Sequence, residues 1–305
     1  MADLKLKDLR YLVAVADTRH FGRAAQRCFV SQPTLSAQLK KLEAYLGVQL
    51  IERQPKRVTL TEAGAAIVAR SREMLRASEE VLELARSHRD PLAGHLRVGL
   101  IPTVGPYLLP RVAPPARKAL PRLTLMLYEY RTEALLAKLR AGELDLGILA
   151  LPVDMEGLES RDLFDEPFLV ALPREHRLAR RSALRIEDLA EEPLMLLEEG
   201  HCLRDQALAV CNRGGPEESQ DFRATSLETL RQMVASGAGI TLLPELACAT
   251  ELASRGEPAS GGIVVKPFTR PLPTRRVGGV WRSSTARRPA IEALCGVITA
   301  SVRRS

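Results

Sequence analysis

The sequence predicts a small basic all-α module with a two-stranded wing, then one long helix, then an α/β domain of two lobes. Residues 1–61 hold eleven Lys and Arg against five Asp and Glu, so this end carries a net charge of +6 out of +7 for the whole chain. Residues 61–89 contain one glycine and no proline, which favours a single helix. From residue 95 onwards, short apolar runs alternate with helix-forming stretches, a pattern typical of α/β domains.

The overall composition is that of an ordinary soluble globular protein. Hydrophobic residues make up 46% of the 305 residues and charged residues 27%. Residues 1–10 do not resemble a signal peptide, and no apolar run approaches the roughly 18 residues of a membrane span. We therefore expect a cytoplasmic protein without membrane contact. Five cysteines in such a protein favour reactive or sensing thiols over structural disulfides.

Three short helical patterns within residues 5–50 predict a nucleic-acid-binding module. The third begins at a cap formed by Ser31 or Gln32, with Pro33 in its first turn, and its apolar stripe leaves a polar face suited to base edges and phosphates. Two extended runs, residues 48–51 and 58–60, then flank a basic tip like that of a wing. The candidate DNA-contacting residues are Gln32, Pro33, Thr34, Ser36, Gln38, Lys40, Arg53, Lys56 and Arg57. The alternative is a three-helix protein-binding domain, against which the charge asymmetry argues.

The long helix carries a short seam typical of coiled coils. Ile67, Met74 and Val81 recur every seven residues, with Ala77 and Leu84 at the partner positions. This pattern predicts at least a dimer, and the alternative is a helix that packs on its own chain. Residues 90–94 then break the helix and mark a domain boundary.

The remaining residues predict two α/β lobes separated by a cleft. The expected domain is 93–305, with lobe I at about 93–165 and 269–305 and lobe II at about 166–268. Predicted strands are 96–101, 123–130, 144–149, 168–172, 194–196, 240–243, 263–268 and 277–281, the first three parallel; predicted helices are 106–120, 132–141, 202–211, 227–235 and 290–302. Ligands of such sheets bind beyond the strand ends, where helices begin.

Three loop-to-helix junctions bring hydroxyl groups to that region. Thr103 follows the first strand of the domain, Thr132 caps a helix, and residues 225–228 have the pattern of a capping box. Each hydroxyl is either a plain helix cap or a ligand-binding group. For residues 225–228 the cap is the favoured interpretation.

One helix-forming stretch has a cysteine at each end, Cys202 at its start and Cys211 nine residues later. In a helix this spacing separates the Cα atoms by roughly 13 Å and points the thiols to opposite faces. A disulfide needs a Cα separation of only about 4.4–6.8 Å. Helix and disulfide therefore exclude each other, so oxidation of both thiols would have to unwind the segment. The alternatives are two core thiols or, with His201, three metal ligands, which would not converge in a helix.

The N-terminal pattern resembles the winged helix-turn-helix of the LysR-type transcriptional regulators. The matching stretches are FGRAA (residues 21–25), VSQPTLS (30–36), KLE (41–43), LGVQLIER (46–53) and TLTEAG (59–64), and GAGITLLP (237–244) resembles the effector domain of the same family. The resemblance implies a DNA-binding domain at 1–61, a dimerisation helix at 62–90, and a two-lobed effector domain like the periplasmic solute-binding proteins. It also implies a homodimer or homotetramer on double-stranded promoter DNA.

Two further segments resemble the peroxide-sensing branch of that family. These are GHCLRDQA (residues 200–207), followed by Cys211, and IPTVGPYLLP (101–110). The resemblance implies that Cys202 is the peroxidatic thiol and Cys211 the resolving thiol of an intramolecular disulfide. It implies that Thr103, Thr132, His201, Asp205 and one arginine form or support a peroxide pocket. Arg275 fits this arginine best, while Arg270 and Arg276 remain open.

The resemblance also implies a set of partners. They are hydrogen peroxide as effector, RNA polymerase for an activator of the oxidative stress response, and a thiol reductant such as glutaredoxin or thioredoxin. No cofactor, metal or enzymatic turnover is expected. The alternatives are a LysR-type regulator that binds a small metabolite between its lobes and, from another class, a thiol peroxidase.

Overall fold

The computed structural model describes residues 4–54, 57–211, 224–249 and 262–303. The chain forms two compact units, Met1–Arg89 and Asp90–Ser305. Among the described residues, no helix combines the length and the apolar character that crossing a membrane would need.

The first unit contains the three predicted helices, the wing and the long helix. Its elements are α1 (Leu6–Thr18), α2 (Phe21–Arg27), α3 (Gln32–Leu46), β1 (Ile51–Gln54), β2 (Arg57–Leu60) and α4 (Glu62–Arg89). Ser31 is the N-cap of α3, because its hydroxyl accepts the N–H of Thr34 at 3.3 Å, and Pro33 lies in the first turn as predicted. The first wing strand begins at Ile51, later than the predicted run at 48–51.

The wing is attached to α3 and α4 by backbone contacts. A carboxylate oxygen of Glu43 in α3 accepts the N–H groups of Leu50 at 2.9 Å and Ile51 at 3.1 Å. A Cβ atom on Gly64 would lie 2.0 Å from the carbonyl oxygen of Leu50, so α4 can begin against the wing only with glycine there. The wing is thus held at a fixed position relative to α3.

The helix α4 is packed on one side and exposed along part of its seam. Val68 and Ser71 are buried in the unit, and Arg72 forms an ion pair with Asp17 at 2.6 Å. The seam residues Met74 and Val81 are instead 45% and 66% exposed. Packing on its own chain therefore does not account for Met74 and Val81, which leave part of an apolar seam open to a partner. The side chain of Leu84 lies outside the described residues.

Lobe I of the second unit is built on parallel strands, as predicted. Its elements are β3 (Gly94–Leu100), α5 (Gly105–Ala119), β4 (Leu123–Glu129), α6 (Thr132–Arg140) and β5 (Leu146–Leu151), with β9 (Thr274–Arg282) and α9 (Arg288–Arg303) from the end of the chain. Strands β4, β3 and β5 are parallel neighbours, and β9 pairs antiparallel with β5. The sheet is therefore mixed. Its antiparallel strand, β9, comes from the last part of the chain, which returns to lobe I.

One long strand, β6 (Leu158–Pro173), joins the two lobes. Its first part, to Pro167, pairs with β9 in lobe I, and its second part pairs with β7 (Thr241–Pro244) and β8 (Ile263–Pro267) in lobe II. The prediction of a strand at 168–172 covered only the second part. Residues 158–167 were missed because six of these ten residues are charged or proline, a composition that disguises a strand.

Lobe II contains α7 (Cys202–Val210) and α8 (Leu227–Ala235) beside short 3-10 turns, one of them Glu245–Cys248. Two local predictions are wrong. The predicted strand at 194–196 is reduced to isolated bridges, Leu194 with Ile240 and Leu197 with Ala224. The cap of α8 is Ser226, whose hydroxyl accepts the N–H of Thr229 at 3.1 Å. This confirms the plain helix cap favoured for residues 225–228, whereas the capping box, which needs Thr225 at the cap and Glu228 three residues later, does not form.

The second wrong prediction concerns the start of α6. Arg131 occupies the N-cap position with an extended backbone (φ −62°, ψ 157°), and Thr132 is the first helical residue. Because a cap hydroxyl must precede the helix to accept its N–H groups, Thr132 is not the cap. The hydroxyl of Thr132 is therefore not needed to cap the start of α6.

Candidate functional site

The two cysteines lie at the two ends of α7, as predicted. Cys202 is its first residue, and Cys211 follows its last residue and donates its backbone N–H to the carbonyl of Ala207 at 3.1 Å. All five cysteines lie within the described residues, and each is a thiol. The structure is therefore that of the state in which the helix keeps Cys202 and Cys211 apart.

The two thiols contact different hydrophobic cores. Cys202 is half-buried and packs against the core of lobe I, although its helix belongs to lobe II. Cys211 is half-buried and packs against the core of lobe II. This agrees with the opposite faces expected for a spacing of nine residues. Cys202 thus lies at the boundary between the lobes.

The turn that leads into α7 depends on Gly200. Its φ is +87°, in the left-handed region that favours glycine, and it is followed by His201 at the N-cap. Asp205 lies in the first turn, where an acidic side chain stabilises the helix dipole. Asp205 is exposed, so the structure does not place it among the buried site residues.

His201 is a buried polar group beside Cys202. Its side chain is 5% exposed, and its Nε2 atom has no hydrogen-bond partner among the described residues. Burial lowers the pKa of its imidazole, and the nearby charge of Arg131 lowers it further. The lowered pKa favours the neutral imidazole near pH 7, and the unpartnered Nε2 atom can form a hydrogen bond with a small polar ligand.

Thr103, in the turn after β3, and Arg275, on β9, form a buried pair. The Nη1 of Arg275 donates to the hydroxyl of Thr103 at 3.0 Å, and its Nη2 donates to the carbonyl of the same residue at 2.9 Å. Arg270 is exposed, and Arg276 is exposed and pairs with Asp162 and Asp165. Of the three candidate arginines, the structure places only Arg275 on a predicted site residue.

Glu166, which the sequence did not single out, completes this buried pair. It lies on β6 and accepts the Nε of Arg275 at 2.8 Å. Its other carboxylate oxygen accepts the N–H of Leu246 at 2.9 Å. Glu166 is 2% exposed and Arg275 is 3% exposed. In the sequence, Glu166 is distinguished only as an acidic residue just before an apolar run, and its partner Arg275 is more than a hundred residues away.

The start of α6 contacts the segment that leads into α7. Arg131 forms an ion pair with Glu198 and donates to the carbonyl of Glu199 at 3.4 Å. These contacts connect lobe I to the residues just before His201. Thr132, next to Arg131, is half-buried.

The other thiols of the second unit are deeply buried. Burial raises the pKa of Cys248 to about 12 and that of Cys295 to about 11. At pH 8 such a thiol is ionised to about one part in 10³ to 10⁴, and thiolates are the reactive form.

We expect Cys248 and Cys295 to resist iodoacetamide in the folded protein at pH 8. Their alkylation should be at least about a hundredfold slower than that of the half-buried Cys202, because both the thiolate fraction and the access are low. Timed alkylation and peptide mass spectrometry measure this, with the urea-unfolded chain as the control in which all five cysteines react. Equal rates for Cys248 and Cys202 would contradict the expectation.

The candidate DNA-contacting residues occupy the outer face of α3. Gln32, Pro33, Thr34 and Lys40 are exposed, whereas Ser36 and Gln38 are half-buried. The hydroxyls of Thr34 and Ser31 are hydrogen-bonded at 2.7 Å. Of the predicted wing tip, Lys56 and the side chains of Arg53 and Arg57 lie outside the described residues.

In the described part of the chain, no three His, Cys, Asp or Glu side chains are placed to hold one ion.

Comparison with known proteins identifies two matching families. Residues 6–65 match the bacterial regulatory helix-turn-helix proteins of the lysR family, and residues 89–303 match the LysR substrate binding domain. The chain is 46% identical over 297 residues to the Escherichia coli K12 DNA-binding transcriptional dual regulator OxyR, covering 97% of this chain and 95% of that protein.

Two solved structures are similar over nearly the whole chain. A full-length OxyR cysteine variant from Pseudomonas aeruginosa has a TM-score of 0.74 and 42% identity, covering 98% of this chain and 95% of its own. A Corynebacterium glutamicum OxyR cysteine mutant, described as H2O2-bound, has a TM-score of 0.65 and 35% identity, covering 99% of this chain and 94% of its own.

Proposed function

Because this chain belongs to the LysR family of transcriptional regulators, and within it to the hydrogen peroxide-inducible activators, we propose that Cys202 is its sensing thiol and Cys211 its resolving thiol. The chain is a DNA-binding regulator that responds to hydrogen peroxide. The observation that carries the assignment is α7, a helix with a thiol at each end, each thiol facing a different core.

The proposed chemistry has two balanced steps. The thiolate of Cys202 attacks one peroxide oxygen, the O–O bond breaks, and hydroxide leaves and takes a proton to become water. Cys202 is then a sulfenic acid. The thiolate of Cys211 attacks its sulfur, the S–O bond breaks, and a second water leaves as the disulfide forms. One peroxide is reduced and two thiols are oxidised.

Groups at the start of α7 and in lobe I supply what the first step needs. A thiolate at a helix N-terminus is stabilised by the helix dipole and the open N–H groups. The hydroxyl oxygen of Thr103 accepts from Arg275, so its own hydrogen is directed to another acceptor. Such a donor stabilises the negative charge that develops on the leaving oxygen. The open Nε2 of His201 is a second partner for the peroxide or the departing water.

The second step requires α7 to unwind. A helical separation of about 13 Å must fall to about 4.4–6.8 Å before the sulfurs can bond. Because the two thiols pack on different cores, at least one of them must leave its core to meet the other, so the packing of α7 changes with the redox state. The disulfide then holds the unwound state and shifts the populations of the two conformations.

The same proposal assigns partners and domain roles. Residues 1–61 bind promoter DNA, residues 62–90 pair two chains through the exposed seam of α4, and residues 93–305 sense peroxide. The oxidised form contacts RNA polymerase as an activator, and a thiol reductant such as glutaredoxin or thioredoxin restores the thiols. Each chain is oxidised once per signal, as in a sensor rather than a peroxidase.

Peptide mapping of the peroxide-treated full chain tests the proposal. One equivalent of hydrogen peroxide should link the peptides of Cys202 and Cys211, and dithiothreitol should separate them. The DNase I footprint on a promoter should change in parallel. Oxidation of Cys202 to sulfinic acid without a link to Cys211, or no reaction at low peroxide, would overturn the assignment.

A further inference from the structure

We propose that Glu166 is a positioning residue for the peroxide reaction, which fixes Arg275 so that Thr103 presents its hydroxyl hydrogen to the peroxide. This inference rests on the proposed function of Cys202. It assigns a role in sensing to a carboxylate that lies on the strand joining the two lobes.

The carboxylate of Glu166 is held at both oxygens. Its Oε2 accepts the Nε of Arg275 at 2.8 Å and lies 2.7 Å from the Nη2 of the same guanidinium. Its Oε1 accepts the backbone N–H of Leu246 at 2.9 Å. With both oxygens engaged, the carboxylate cannot rotate, and it fixes the plane of the guanidinium.

The fixed guanidinium in turn determines the direction of the Thr103 hydroxyl. Nη1 donates to the hydroxyl oxygen and Nη2 donates to the carbonyl of Thr103. Because the hydroxyl accepts from a cation, it becomes a stronger donor towards the next group. Loss of Glu166 would let the guanidinium turn, and the hydroxyl would lose its direction.

The burial of the pair argues for a role beyond stability. The side chains of Glu166 and Arg275 are 2% and 1% exposed. Removing two charges from water is costly, and buried ion pairs are often no more stabilising than apolar residues of the same volume. The pair of Glu166 and Arg275 costs desolvation free energy, and Arg275 donates to the hydroxyl of Thr103. Orientation of that hydroxyl therefore explains the pair better than stability does.

The contact with Leu246 places the pair between the lobes. Leu246 belongs to the 3-10 turn Glu245–Cys248, which directly follows β7 of lobe II. Arg275 and Thr103 belong to lobe I. Glu166 therefore also orients the site relative to the lobe that carries Cys202.

Glu166→Gln in the full-length chain tests this role with two reagents. Peroxide needs an oriented donor for its leaving oxygen, whereas iodoacetamide reports thiolate and access alone. We expect the second-order rate constant for oxidation of Cys202 by peroxide to fall at least about tenfold. The rate with iodoacetamide should stay within about threefold or rise, because the site loses a negative charge.

The matched control is Asp165→Asn, which removes the neighbouring carboxylate, exposed and paired with Arg276. It should leave both rates unchanged. Glu166→Asp keeps the charge and replaces the glutamine variant in this test if that variant does not fold. Its shorter side chain should also slow the oxidation of Cys202 by peroxide without slowing the reaction with iodoacetamide.

The outcomes separate this inference from the proposed function. An equal fall of both rates would assign Glu166 a structural role only, and an unchanged peroxide rate would remove the role altogether; either result overturns the inference. A wild-type Cys202 that reacts with peroxide no faster than free cysteine would instead overturn the proposed function.

Discussion

Cys202→Ser should bind promoter DNA with one footprint, the same before and after peroxide, because serine cannot form a sulfenic acid or a disulfide. The helix α7 keeps its first residue, and the DNA-binding elements lie in the other unit, so binding itself should change less than about twofold. The disulfide yield should fall to background. Footprinting and peptide mapping on the same samples measure both effects.

Two further variants sharpen this experiment. Cys211→Ser should still form a sulfenic acid at Cys202, which dimedone traps, but no intramolecular disulfide. Cys28→Ser is the matched control, since Cys28 is also half-buried but lies in the first unit. A peroxide-dependent footprint that survives in Cys202→Ser would show that the protein senses another effector, such as a metabolite between the lobes.

The sequence could predict the arrangement of α7 because helix geometry is local. The positions of two cysteines, a rise per residue and a rotation per residue suffice to separate the thiols. The cores that the two thiols contact were not predictable. They depend on how lobe II packs against lobe I, and no local pattern around Cys202 encodes that contact.

The alternation of side chains along a strand favours Arg275 over its neighbour Arg276. Arg275 lies two residues before the buried Val277 and so shares its face of β9, whereas Arg276 points to the opposite, exposed face. The role of Glu166 had no comparable signal. Its strand was disguised by charged residues, and its partner lies 109 positions further along the chain. Pairings of this range are set by the fold.

Arg275→Met should be the most destabilising substitution in the site. It leaves the carboxylate of Glu166 buried without its cation, and breaking a buried pair on one side costs about 3–5 kcal/mol. Urea unfolding of the full chain measures this loss through Trp281, the single tryptophan, which is 3% exposed on the same strand β9. The control Arg276→Met removes an exposed neighbour and should change the midpoint little.

The double variant Arg275→Met/Glu166→Leu separates stability from sensing. Replacing both charges by apolar side chains should recover part of the lost stability, less about 1 kcal/mol each for the N–H of Leu246 and the carbonyl of Thr103, which lose their hydrogen-bond partners. Peroxide oxidation of Cys202 should stay slow, because the hydroxyl of Thr103 still lacks its cation. A double variant that regains stability and peroxide reactivity together would show that the buried pair serves the fold alone.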